Sequence, residues 1–219
     1  MFVGHFGVAL AGRAIAADGR ERRGPSLGTF VLAAQWLDLV WPVLVIAGAE
    51  RVAVEPGNTK VTPLRFEEYP WSHSLLMAAV WGVAVGGTWF ATRRRTAPAL
   101  LLGAVVVSHW VLDWITHRPD MPVGIHGPYV GLGLWNSFPG TIAAEGVLFL
   151  GGLAMYVLGT RPLDRAGRWG LAAFAAFLVV FYTMSLVGPP PPDGKTVAWA
   201  DLGMWLLVAW AYWIDRHRS

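Results

Sequence analysis

Three side chains able to ligate a metal recur every four residues in Ser108-His109-Trp110-Val111-Leu112-Asp113-Trp114-Ile115-Thr116-His117, at the end of an apolar run. At ~100° and ~1.5 Å per residue, a step of four drifts only ~40° around a helix and climbs ~6 Å. His109 and Asp113 can therefore grip one ion. His117, ~12 Å above His109 by the same rise, suits a rim or substrate-facing role. His5, Asp38, His73 and Glu145 also interrupt apolar runs. An ionisable side chain inside a bilayer costs at least ~2.5 kcal/mol, so each needs a reason. A lone membrane histidine is ordinarily an interhelical hydrogen-bond partner, and a lone Asp38 can pair with an arginine. Independent packing needs, however, would not place acids and histidines at similar depth on neighbouring spans.

Imidazole and carboxylate donors suit zinc first, with manganese or iron next, whereas magnesium and calcium prefer oxygens throughout. The chain has no cysteine, which excludes disulfides and thiolate ligands. A zinc ion with an open position acidifies its water toward about pH 7. His109 and Asp113 are the expected metal-binding pair, with His5, Asp38 and His73 at similar depth as the other walls of the pocket. Glu145 is the candidate general base, with Asp38 also placed for a catalytic role. From the loops, Arg65 and Arg118 can hold a phosphate or carboxylate, and Asn136 beside Ser137 can form a polar edge of the pocket. His126, in an outer loop, is expected to be solvated or substrate-facing like His117, and Asp201 to be an outer-end charge.

Those residues need helices in a membrane to position them. The 219 residues are 55% hydrophobic and only 14% charged, with 13 Trp and 26 Gly, the profile of an integral membrane protein. Hydropathy marks seven spans of an all-α, polytopic helical bundle. They are Phe2 to Ala17, Leu27 to Ala49, Trp71 to Ala91, Ala97 to His117, Gly140 to Gly159, Trp169 to Val187 and Thr196 to Ile214. No basic residue precedes the first, so it is expected to be a retained helix rather than a cleaved signal. The net charge of +3 does not point to nucleic acid, because basic residues fall in short clusters between apolar runs. Arg13, Arg20, Arg22 and Arg23, then Arg93 to Arg95, then Arg161, Arg165 and Arg168, then Arg216 and Arg218 occupy alternate connections, and hold twelve of the 17 Lys and Arg. The positive-inside rule puts the N-terminus outside and the C-terminus in the cytoplasm. The long outer segments, Glu50 to Pro70 and Arg118 to Pro139, have the length of lids or binding elements. Pro189 to Pro192 form a stiff outer turn. Residues 1–219 are read as one membrane domain, with a metal-site core of four helices in 1–120 and an outer loop plus three helices in 121–219.

Gly4-His5, Leu37-Asp38, His73-Ser74 and Ser108-His109 with Leu112-Asp113 resemble, in order and spacing, the bacterial membrane-bound proteins known as predicted metal-dependent hydrolases. The resemblance covers about the first 120 residues. It implies that His5, Asp38, His73, His109 and Asp113 are metal-site positions, and that the protein sits in a bacterial inner membrane. The His-x-x-x-Asp element also resembles one of zinc-dependent phospholipases C. The chain departs from the family at Leu39-Val40, where a second acid commonly follows the Asp38 position by two residues. The function expected is metal-dependent hydrolysis in an outward-facing intramembrane pocket, on a lipid or other amphiphilic ester or phosphoester. A divalent-cation or proton transporter would use the same cluster but needs polar groups continuing to the cytoplasmic side, where only Gln35 is seen. A non-catalytic scaffold would bind no metal.

Overall fold

The computed structural model describes residues 1–16 and 24–219. Ala17 and the expected charges Arg20, Arg22 and Arg23 lie outside the described residues. The chain forms ten α-helices among those residues, α1 Val3–Ala16, α2 Leu27–Ala34, α3 Trp36–Ile46, α4 Pro70–His73, α5 Leu75–Arg93, α6 Thr96–Thr116, α7 Phe138–Gly159, α8 Arg165–Val187, α9 Gly194–Asp201 and α10 Met204–Arg216. Five helical stretches are long and apolar enough to cross a membrane: α5, α6, α7, α8 and the continuous run Gly194–Arg216. The pair α2 and α3 meets the same test jointly but bends by 52°, and α1 is a shorter apolar helix. These helices mark an integral membrane protein. The outer faces of α5, α6 and α7 expose Val83, Leu100, Val147 and Leu158. Helices that turn apolar side chains outward need an apolar solvent there, which a bilayer supplies.

Local chemistry starts the helices where the sequence allows it. Ser26, Ser74, Ser137, Asp164 and Asp193 each accept a backbone N–H three residues on, at the starts of α2, α5, α7, α8 and α9. The second hydropathic span divides at Gln35, and its second half holds Asp38 in the first turn of α3. The third begins with the single turn α4 carrying His73, after which Ser74 starts α5 afresh. The last loosens at Leu202 and Gly203, where Trp205 N–H bonds to the Leu202 carbonyl and Leu206 N–H to that of Gly203. Such three-residue bonds relax the helix beside Asp201.

The core is made by α1 lying between α7, α2 and α6, with Phe6, Phe30, Phe149, Phe174 and Leu102 fully or nearly buried. α1 and α7 touch backbone to backbone. A Cβ on Gly152 would strike the Gly7 carbonyl, and one on Gly7 would strike that of Leu148. Two antiparallel ribbons fill the expected outer segments: β1 Arg51–Val54 pairs with β2 Leu64–Glu68, and β3 Met121–Pro122 with β4 Tyr129–Val130. They are tied to one another through Lys60 N–H to the Trp135 carbonyl, and to α5 through Leu76 N–H to the Val123 carbonyl. At the other end Arg13 pairs with Asp215 at 3.1 Å, Asp164 with His217 at 2.7 Å, and Arg218 bonds to Thr160. The basic clusters Arg93 to Arg95, Arg161 to Arg168 and Arg216 to Arg218 therefore lie away from the ribbons.

Candidate metal centre

α6 carries His109 and Asp113 one turn apart and buried, with His109 Nε2 3.1 Å from Asp113 Oδ2. α1 brings His5, whose Nε2 lies 3.1 Å from Asp113 Oδ1 and whose ring stacks on His109 at 3.7 Å between centroids and 3° between planes. α3 brings Asp38, with Oδ1 3.2 Å from His73 Nε2 and 3.5 Å from His109 Nε2. His73 Nε2 is also 3.8 Å from Asp113 Oδ2. Two overlapping groups result, His5 with His109 and Asp113, and Asp38 with His73 and His109. Within each, the ligating atoms lie within 4.8 Å of one another. Side chains separated by more than a hundred residues thus meet in one volume. The Met1 amino group also contacts Asp113.

The tautomers follow from the outward partners. The His109 Nδ1 is 2.6 Å from the Ala34 carbonyl, which can only accept, so Nδ1 carries the hydrogen. That leaves Nε2 buried, without a hydrogen-bond partner, facing two carboxylates. A neutral ring would aim a lone pair at two anions, so either a second proton or a metal cation must stand between them. Two cationic rings stacked at 3.7 Å would repel, so at most one of His5 and His109 is protonated. His5 Nδ1 is likewise buried without a partner. Orphaned buried nitrogens of this kind fit a metal ion. His73 is set from behind by a relay: its Nδ1 is 2.7 Å from Ser72 Oγ, which donates at 2.6 Å to Glu50, while Ser72 N–H donates to the same carboxylate at 2.8 Å. Ser72 Oγ then accepts from His73 Nδ1–H and turns the Nε2 lone pair toward Asp38. Burial pushes the Glu50 pKa up, and the two Ser72 bonds oppose that rise.

Beside the cluster lies a cavity of about 400 Å³. Asp38, His73, Asp113, His117, Glu145 and Asp201 give it polar groups, and Trp41, Phe66, Trp135, Phe181, Met184 and Met204 give it apolar walls. His117 caps the end of α6 in an extended conformation, bonds Asp120 through Nδ1 at 3.0 Å and packs its ring 4.2 Å from that of Trp135. Glu145 faces the cavity, but both oxygens accept backbone N–H groups at the start of α1, from Phe2 at 3.0 and 3.1 Å and from Gly4 at 2.9 Å. It satisfies donors that a helix start leaves open. Arg65 is paired with Glu55 and Glu67 on the first ribbon, Arg118 with Asp120, and Asn136 sits in the short 3₁₀ turn Leu134–Asn136. None of these three lines the cavity, and neither does His126.

Three participants escaped the sequence reading. Glu50 stands in a loop and Ser72 at the very start of an apolar span, where an acid and a serine are ordinary. Asp201 was assigned to an outer end, yet it lines the cavity with Val197 and Met204. The spacing Val197, Asp201, Met204, Val208 is a helical stripe that could have placed it there. No family profile, curated protein or solved structure matches this chain.

Proposed function

We propose that this chain is a membrane-embedded metal-dependent hydrolase, acting on an amphiphilic ester or phosphoester in the cavity beside the His/Asp cluster. The observation that carries the reading is His109 Nε2, buried and unpartnered between Asp113 and Asp38. Three imidazoles and two carboxylates are a donor set for zinc, with manganese or iron as alternatives. Bound there, zinc supplies an activated water near neutral pH. His5, His73 and His109 hold the donor geometry through rings fixed by stacking, Ser72 and the Ala34 carbonyl. Asp38 is the most exposed of the five, its side chain 27% accessible, and so is the carboxylate best placed to take a proton from water in the cavity. Glu145 is a second acceptor only to the extent that it releases the first turn of α1. The apolar walls exclude water and receive the hydrocarbon part of the substrate. The resemblance to the membrane-bound predicted hydrolases, seven spans, an outward-facing site and a bacterial inner-membrane location belong to the same reading.

Metal analysis of the purified protein tests it. Wild type is expected to retain stoichiometric metal after gentle extraction and to melt at a higher temperature with added zinc, whereas His109→Ala and Asp113→Ala lose both properties. A metal-free wild type indifferent to zinc would sink the metal site. A metal-loaded protein that cleaves nothing in a panel of lipid and amphiphilic esters and phosphoesters would sink the hydrolase.

A further inference from the structure

Of the described residues that line the cavity, four are acids, Asp38, Asp113, Glu145 and Asp201, and none is Lys or Arg. The cluster itself accounts for the first two, since a dication would sit between them. Glu145 is held by the N–H groups of Phe2 and Gly4. Asp201 is left over. It is mostly buried, has no hydrogen-bond or ion-pair partner among the described residues, and stands where the last membrane run loosens between α9 and α10. An unpaired acid at membrane depth marks a functional position by default, with a partner to be named. The cations around the cavity are engaged elsewhere: the Met1 amino group pairs with Asp113, and Arg65 and Arg118 pair with their own neighbours outside the cavity. An anionic headgroup would meet like charge here and no guanidinium. Trp41, Phe66 and Trp135 line the same cavity, and aromatic rings favour a cation, above all a weakly hydrated ammonium.

We infer that the substrate is an amphiphile bearing an ammonium group, which Asp201 receives while the hydrocarbon part lies along Phe181, Met184 and Met204. This rests on the hydrolase reading for the word substrate, but the binding site stands on Asp201 and the cavity alone. An acid with no counter-ion among the described residues, in a cavity lined by no Lys or Arg, selects charge before any chemistry begins.

The test is binding of octyltrimethylammonium below its micelle concentration to the full chain in a neutral detergent, followed by quenching of tryptophan fluorescence and run with and without zinc. Saturable binding is expected, with octyl sulfate failing to compete. Asp201→Asn is expected to weaken binding at least about tenfold, and Asp201→Glu to restore most of it, at melting temperatures close to wild type. Binding unchanged in Asp201→Asn, or equal competition by octyl sulfate, would overturn the inference. If Asp201→Asn does not fold, the sulfate competition on wild type decides alone. Asp201-dependent binding without metal retention would keep this site and remove the hydrolase; ester turnover indifferent to headgroup charge would do the reverse.

Discussion

His109 has one nitrogen committed to the Ala34 carbonyl, so the state of the cluster depends on what its other nitrogen meets. The same logic applies one step out at His73, where Ser72 stands between the ring and Glu50. Removing that hydroxyl leaves all five ligating side chains in place but frees the His73 ring to rotate or change tautomer. Ser72→Ala is therefore expected to lower zinc affinity roughly 10- to 100-fold while leaving the stoichiometry at saturation unchanged, read by competition with a chromophoric chelator. Unchanged affinity would show that Ser72 does not orient His73. The five expected ligands were legible because an ionisable group in an apolar run is costly enough to demand an explanation. Loop residues carry no such signal. Arg65 and Arg118 look free in sequence, yet Glu67 and Asp120 stand two residues away and turn them aside.

Elements position these residues through interruptions and close contacts more than through long regular helices. The break at Gln35 comes directly after Ala34, whose carbonyl fixes His109, and directly before the short helix that carries Asp38. His5 depends on how closely α1 approaches α7. Gly152→Val would wedge a side chain against the Gly7 carbonyl, a clash of the kind that costs about 1–3 kcal/mol, and would push His5 away from Asp113. The expected outcome is a lower melting temperature together with loss of zinc binding. Gly151→Val, with no atom near its added Cβ, is the control that should leave both unchanged. Hydropathy located these apolar segments well because it integrates over about 19 residues. That same averaging hides a 52° bend, a one-turn helix and ribbons of two to five residues, all of which surround the site. The first ribbon did leave a weak trace, in Val52 and Val54 alternating before Gly57-Asn58 and Leu64 alternating with Phe66.

Across the whole molecule the two ends differ in kind. Ribbons and His/Asp cluster share one end, while the arginine clusters and the tail around Arg218 share the other. The positive-inside rule turns that asymmetry into an orientation. Reporters fused after Arg95 are expected to read cytoplasmic and those after Arg118 external; a cytoplasmic signal from the second would reverse the cavity. The docking of α1 on α7 adds a consequence in time. Synthesis produces α1 first, yet the carboxylate that holds its first turn lies 141 residues after Gly4. Closing so long a loop is slow, because its entropy is lost before the contact is gained. The bonds that close the first turn of α1 onto Glu145 thus form only once α7 has been made, so that turn is completed late among the described contacts.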